Sequence, residues 1–161
     1  MSETLFYHLE RRSLEDVLPE LLERTRARNW KALVRVGSAE RMQALDAHLW
    51  TYSEQTFLAH GTAEEGHVSR QPIFLTVEDE NPNAADVLFL VGGAMVEDWA
   101  SVKAFTRIVL MFDGRDEQAV ASARAAWRNA KEAGHDVTYW KESPSGKWEK
   151  QGGFRRYSRS E

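Results

Sequence analysis

Two short stretches, "VLFLVGGA" beginning at Val87 and "RIVLMFDG" beginning at Arg107, constrain this chain more than any others. Each is an unbroken apolar run of strand length, closed by a turn that contains glycine. A strand exposed on one face alternates polar and apolar residues; an unbroken run is the pattern of a strand covered on both faces. Such strands require a layer of other elements on either side.

The rest of the sequence supplies those layers. Residues 4–9 (TLFYHL), 31–37 (KALVRVG), 72–77 (PIFLTV) and 135–142 (HDVTYWKE) read as further strands, the second of them alternating. Leu14, Val17, Leu18, Leu21 and Leu22 recur at helical spacing behind Ser13, which with Asp16 forms a capping-box pattern. Pro19 within that pattern means that the helix either bends there or begins there. Ser38 can cap a second helix with Met42, Leu45 and Leu49 inward, and residues 96–105 (VEDWASVKAF) form a short one. Residues 116–134 make the clearest helix: alanine-rich, acidic at the start, basic later, and stopped by Gly134. "GKWEK" closes the domain as a small ribbon. Strands alternating with helices predict an α/β fold, a Rossmann-like three-layer α/β/α sandwich with a mostly parallel central sheet.

The length of 161 residues fits one domain, set here at 1–150. Residues 151–161 form a basic tail in which Arg155, Arg156 and Arg159 follow Gly152 and Gly153, and the sequence predicts a mobile end. There is no cysteine, which removes disulfides, thiolate metal sites and cysteine nucleophiles. No apolar stretch approaches bilayer-spanning length and no leader pattern opens the chain, so the expected location is cytoplasmic. The net charge of −4 does not favour long-range attraction to nucleic acid.

A nucleotide-binding enzyme is the natural alternative on such a sheet. Its signatures are missing: there is no P-loop, and "ERRS" after the first strand holds no glycine for a dinucleotide fingerprint. Gly92-Gly93 reads as a strand-ending turn. His60, Glu64, Glu65 and His67 offer metal-ligand chemistry without fixed mutual geometry, so no metal is expected. No serine stands in a nucleophile motif, and the sequence predicts neither catalytic residues nor a cofactor. A direct nucleic-acid-binding module, using the basic tail and the late helix, is a further alternative that the charge balance disfavours.

Two features point instead to a binding surface. Arg124, Arg128 and Lys131 form one stripe on the late helix, beside an apolar stripe of Val120, Ala123, Trp127 and Ala130 that should face the sheet. Arginine's planar fork suits carboxylates, so the stripe can receive an acidic peptide. The segment "LDAHLWTYSEQTFLAHG" meanwhile places Trp50 and Phe57 around a polar connection, where they either seal the core or line a pocket.

Taken in order, "FYHL", "LDAHLWTYSEQTFLAHG", "QPIFLT", "NPNAADVLFLVGGA", "FDGRDEQAVASARAAW", "GHDVTYW" and "GKWEK" resemble the chi subunit of bacterial DNA polymerase III, across residues 6–150. The family commonly has proline where Ala59 stands and a residue other than glycine where Gly92 stands. The resemblance implies a Rossmann-like sandwich without a nucleotide site and an accessory subunit of the clamp-loader assembly rather than an enzyme. It also implies two partners, the small psi subunit where one exists and the acidic C-terminal tail of the single-stranded-DNA-binding protein. By matched position, Trp50, Phe57, Arg124 and Arg128 would form the tail pocket. For psi, Trp99 and Phe105 are the candidate apolar patch.

Overall fold

The structure is a computed structural model that describes residues 3–51, 60–62 and 71–152, the side chain of Trp50 excepted. Among the described residues a seven-stranded sheet runs in the order β3-β2-β4-β5-β1-β6-β7. The strands are β1 (Glu3–Leu9), β2 (Ala32–Val36), β3 (Ile73–Thr76), β4 (Val87–Val91), β5 (Arg107–Asp113), β6 (Asp136–Glu142) and β7 (Trp148–Gln151). All neighbours pair in parallel except β7, which runs antiparallel to β6. The order is not the 3-2-1-4-5-6 of a dinucleotide-binding sheet. Here the first crossover passes over β5 and β4 to reach β2.

Helices α1 (Leu14–Ala27) and α2 (Ala39–Thr51) cover one face, and α3 (Glu117–Glu132) covers the other together with a 3-10 turn at Trp99–Val102. The first core layer joins Leu18, Leu22, Leu45 and Leu49 to Val34, Phe89 and Met111. The second joins Phe6, Leu88, Ile108 and Tyr139 to Ala123, Ala126 and Ala130. β4 is buried at every position, as its apolar run requires. This is the expected three-layer α/β/α arrangement.

Three local expectations are corrected. β2 does not alternate between core and solvent: all five residues are buried, Arg35 included. Strict strand-helix alternation also fails. β3 connects to β4 through residues 77–86 without a helix, and this connection supplies the cover over Arg35, whose Nη2 donates to Asp79 Oδ1 at 3.2 Å. Asn83 secures the crossover by donating its side-chain amide to the carbonyls of Ala32 (3.1 Å) and Gln71 (3.0 Å). Lastly, β7 runs to Gln151, so the tail assigned from residue 151 starts inside a strand; residues 153–161 lie outside those described.

Pro19 sits inside α1 and does not begin it. Having no N–H, it leaves the carbonyl of Glu15 without its helical donor. His48 of α2 donates Nε2–H to that carbonyl at 2.7 Å. The proline thus costs α1 one bond and gives α2 a docking point.

Candidate protein-interaction face

α3 begins at Asp116, whose carboxylate accepts the N–H groups of Gln118 (2.9 Å) and Ala119 (3.4 Å). Gly134, at φ +93°, follows its end. Ala123, Ala126 and Ala130 face the sheet, so small that the helix lies close to it. This turns Arg124 and Arg128, one turn apart, to the outer side: Arg128 is exposed and Arg124 half-buried. Trp127 stands beside them on the helix, half-buried rather than wholly in the core. Its ring meets Phe6 edge-on at 5.3 Å and Tyr139 at 6.2 Å. The helical period marks Trp127 as inward, and it is the neighbouring arginines that mark it as also reachable.

The expected apolar patch at Trp99 and Phe105 is corrected. They are only 4% and 7% exposed, and both belong to the core layer beneath α3. Trp99 lies against Phe6 (6.5 Å) and edge-on to His135 (5.5 Å). The Trp99 carbonyl lies 2.6 Å from His135 Nε2, and a carbonyl can only accept, so that nitrogen carries the proton. Nδ1 is then left to accept from the Thr4 hydroxyl at 3.0 Å. A short, polar-looking segment is therefore pinned into the interior by a histidine from the far end of α3.

The other proposed half is placed differently. Trp50 belongs to the last turn of α2, in the layer opposite α3, and Phe57 lies outside the described residues. The described residues bring Arg124 and Arg128 together with Trp127 on α3. Of the four metal-ligand candidates only His60 is described. It is a packing residue, its Nε2 3.1 Å from the Asp46 carboxylate and 3.2 Å from the Asp46 carbonyl. Among the described residues no group of three His, Cys, Asp or Glu side chains could hold a metal ion.

A cleft of about 610 Å³ opens at the carboxyl ends of β1, β2, β4 and β5, where an α/β sheet would hold a nucleotide. Its cations are already engaged. Arg12 pairs with Glu20 and Glu142, Arg115 with Asp113, and Arg41 donates to the Gly92 carbonyl at 2.9 Å. The Gly92-Gly93 turn therefore points a carbonyl at an arginine, the reverse of a phosphate cradle.

Beside this cleft, His8 is buried with Nδ1 2.6 Å from the Tyr139 hydroxyl. Burial, and secondarily the charge of Lys141, push its pKa below the usual 6.5, against the opposing pull of Glu10 and Asp113. Above the unfolded value near 6.5 both states are neutral and the contribution is complete. As pH falls below it, the unfolded chain takes up a proton that the folded chain refuses, and stability drops. The urea midpoint should fall between about pH 7 and pH 5, and more steeply in the wild type than in His8→Gln. Equal slopes would mean that His8 is not the group responsible.

Residues 1–138 match the family described as "DNA polymerase III chi subunit, HolC". The chain belongs to that family. A relative in Rickettsia prowazekii (strain Madrid E), "Probable DNA polymerase III subunit chi", is 27% identical over 117 residues, covering 70% of this chain and 71% of the relative. The chi family is an accessory part of the replicative polymerase, so this chain serves DNA replication as an accessory subunit. The match spans β1 through α3 and the first residues of β6, and so includes the arginine face; β7 lies beyond it. No helix among the described residues is long and apolar enough to cross a membrane.

Proposed function

We propose that this chi-family chain is a non-catalytic, cytoplasmic tether. It would link the clamp loader to the single-stranded-DNA-binding protein by holding that protein's acidic C-terminal tail on α3. The observation that carries the reading is the pairing of Arg124 and Arg128, one turn apart, beside the half-buried Trp127. The guanidinium forks suit the tail's aspartates and terminal carboxylate, and the indole offers an apolar contact for an aromatic side chain. Phe57 is proposed as the second wall of that contact. Trp50 is proposed to line the same contact, as the resemblance implies. A psi subunit, where the organism has one, is proposed as a second partner on a surface that Trp99 and Phe105 support from within.

The test is fluorescence anisotropy with a labelled peptide copying the host tail. Micromolar binding, about 8 kcal/mol, is expected, weakening as salt rises. Arg124→Glu, Arg128→Glu and Trp50→Ala should each lose at least about tenfold in affinity. No saturable binding, or binding indifferent to both charge reversals, would overturn the proposal.

A further inference from the structure

Across the sheet from α3, a groove of about 380 Å³ separates α1 from the β6–β7 hairpin. Arg11, Arg12, Glu20, Arg24, Glu142 and Trp148 line it. Its two carboxylates are taken by one cation: Arg12 Nε donates to Glu142 Oε2 at 2.9 Å and Nη1 to Glu20 Oε1 at 2.8 Å. The Glu142 side chain is buried, so this pair is a fixed part of the wall. Arg11 and Arg24, both exposed, have no carboxylate partner among the described residues, which leaves the groove with surplus positive charge. Trp148 forms one side of the groove. Its Nε1–H is sealed from solvent with no hydrogen-bond acceptor, and its ring is set against Tyr7 at 4.9 Å, edge-on. Unpaired buried donors are uncommon and call for an explanation.

We propose that this groove is a binding site for the phosphate group of a small anionic ligand, held by Arg11 and Arg24 with Trp148 at its side. A phosphate dianion carries twice the charge of a carboxylate and more acceptor oxygens, so it suits two guanidinium forks converging from separate residues better than a carboxylate does. The inference is independent of the proposed tail site, which occupies the other face. Glu142 and Trp148 lie beyond the residues matched by the family.

Nitrogen-15 NMR of the full chain tests this directly, because each tryptophan gives one indole signal. Trp148→Phe assigns the signal of interest. Titration with inorganic phosphate at constant ionic strength should move it saturably, and acetate should move it far less. Arg11→Gln with Arg24→Gln should weaken the phosphate response at least about tenfold, with the other indole signals unmoved as the check on folding. A nucleoside monophosphate used in a parallel titration separates two sources. Tighter binding than inorganic phosphate means the ligand's body also touches the groove, and equal binding means that free phosphate suffices. A Trp148 signal indifferent to phosphate, matched by acetate, or unchanged by the arginine substitutions would overturn the proposal.

Discussion

Gly37→Ala is expected to destabilise the fold by about 3 kcal/mol, near the upper end for inserting a single carbon into packed structure. The new Cβ would stand 2.2 Å from the Gly92 carbonyl oxygen, 3.1 Å from its carbonyl carbon and 3.2 Å from the Ala94 nitrogen. All three are backbone atoms, so no side-chain rotation relieves the clash. Moving the 92–94 turn would disturb the Arg41 bond to the Gly92 carbonyl (2.9 Å) and the bond from Ala94 N–H to the Val91 carbonyl (3.1 Å). The strand ends of β2 and β4 would separate just where the cleft opens. For a chain of this size the loss corresponds to a Tm lower by about 6–12 °C. Gly93→Ala is the informative comparison. Gly93 has a φ of +93° but nothing within 4 Å of an added Cβ, so it bears conformational strain alone, about 1 kcal/mol. Urea denaturation of both variants ranks the two causes. If Gly93→Ala costs more than Gly37→Ala, close backbone approach is not what requires glycine at position 37.

That pair shows where the sequence is legible and where it is not. Gly92-Gly93 can be read as a strand-ending turn because both act through local φ. Gly37 acts through a residue 55 positions away, and nothing adjacent to it announces the contact. The same division runs through the fold. β4, β5 and α3 follow from local patterns: an unbroken apolar run, or a 3.6-residue period with an acidic cap and a terminal glycine. Arg35 defeats the pattern, because a charged residue in a strand reads as solvent-facing while the cover over it comes from the later 77–86 connection. Trp99 is similar, since it is held in place by His135, which sequence places 36 residues further on. At the candidate site, the arginine stripe is legible because helical spacing alone defines a face. The relation of that face to Trp50 is not, because it depends on which side of the sheet each crossover takes.

Phe6→Ala should cost about 3–5 kcal/mol, the range for removing a fully buried aromatic ring. Phe6 is completely enclosed at the centre of the core layer beneath α3, touching Trp99 on one side and Trp127 on the other. Phe89→Ala removes a ring of the same size, almost as deeply buried, from the layer under α1 and α2. The two variants should therefore lose similar stability by urea denaturation, and most of that loss is the cavity left behind. They should differ in function. Without Phe6, Trp127 loses the ring that holds it edge-on, and the indole is free to sink into the vacated core space, away from the surface that carries Arg124 and Arg128. Tail-peptide affinity measured under conditions where both variants remain folded should then fall several-fold in Phe6→Ala and stay near wild type in Phe89→Ala. Equal affinity losses would mean that the peptide responds to stability in general. Loss in Phe6→Ala alone would mean that the core positions the interaction face through Trp127, joining the packing of β1 to the binding surface of α3.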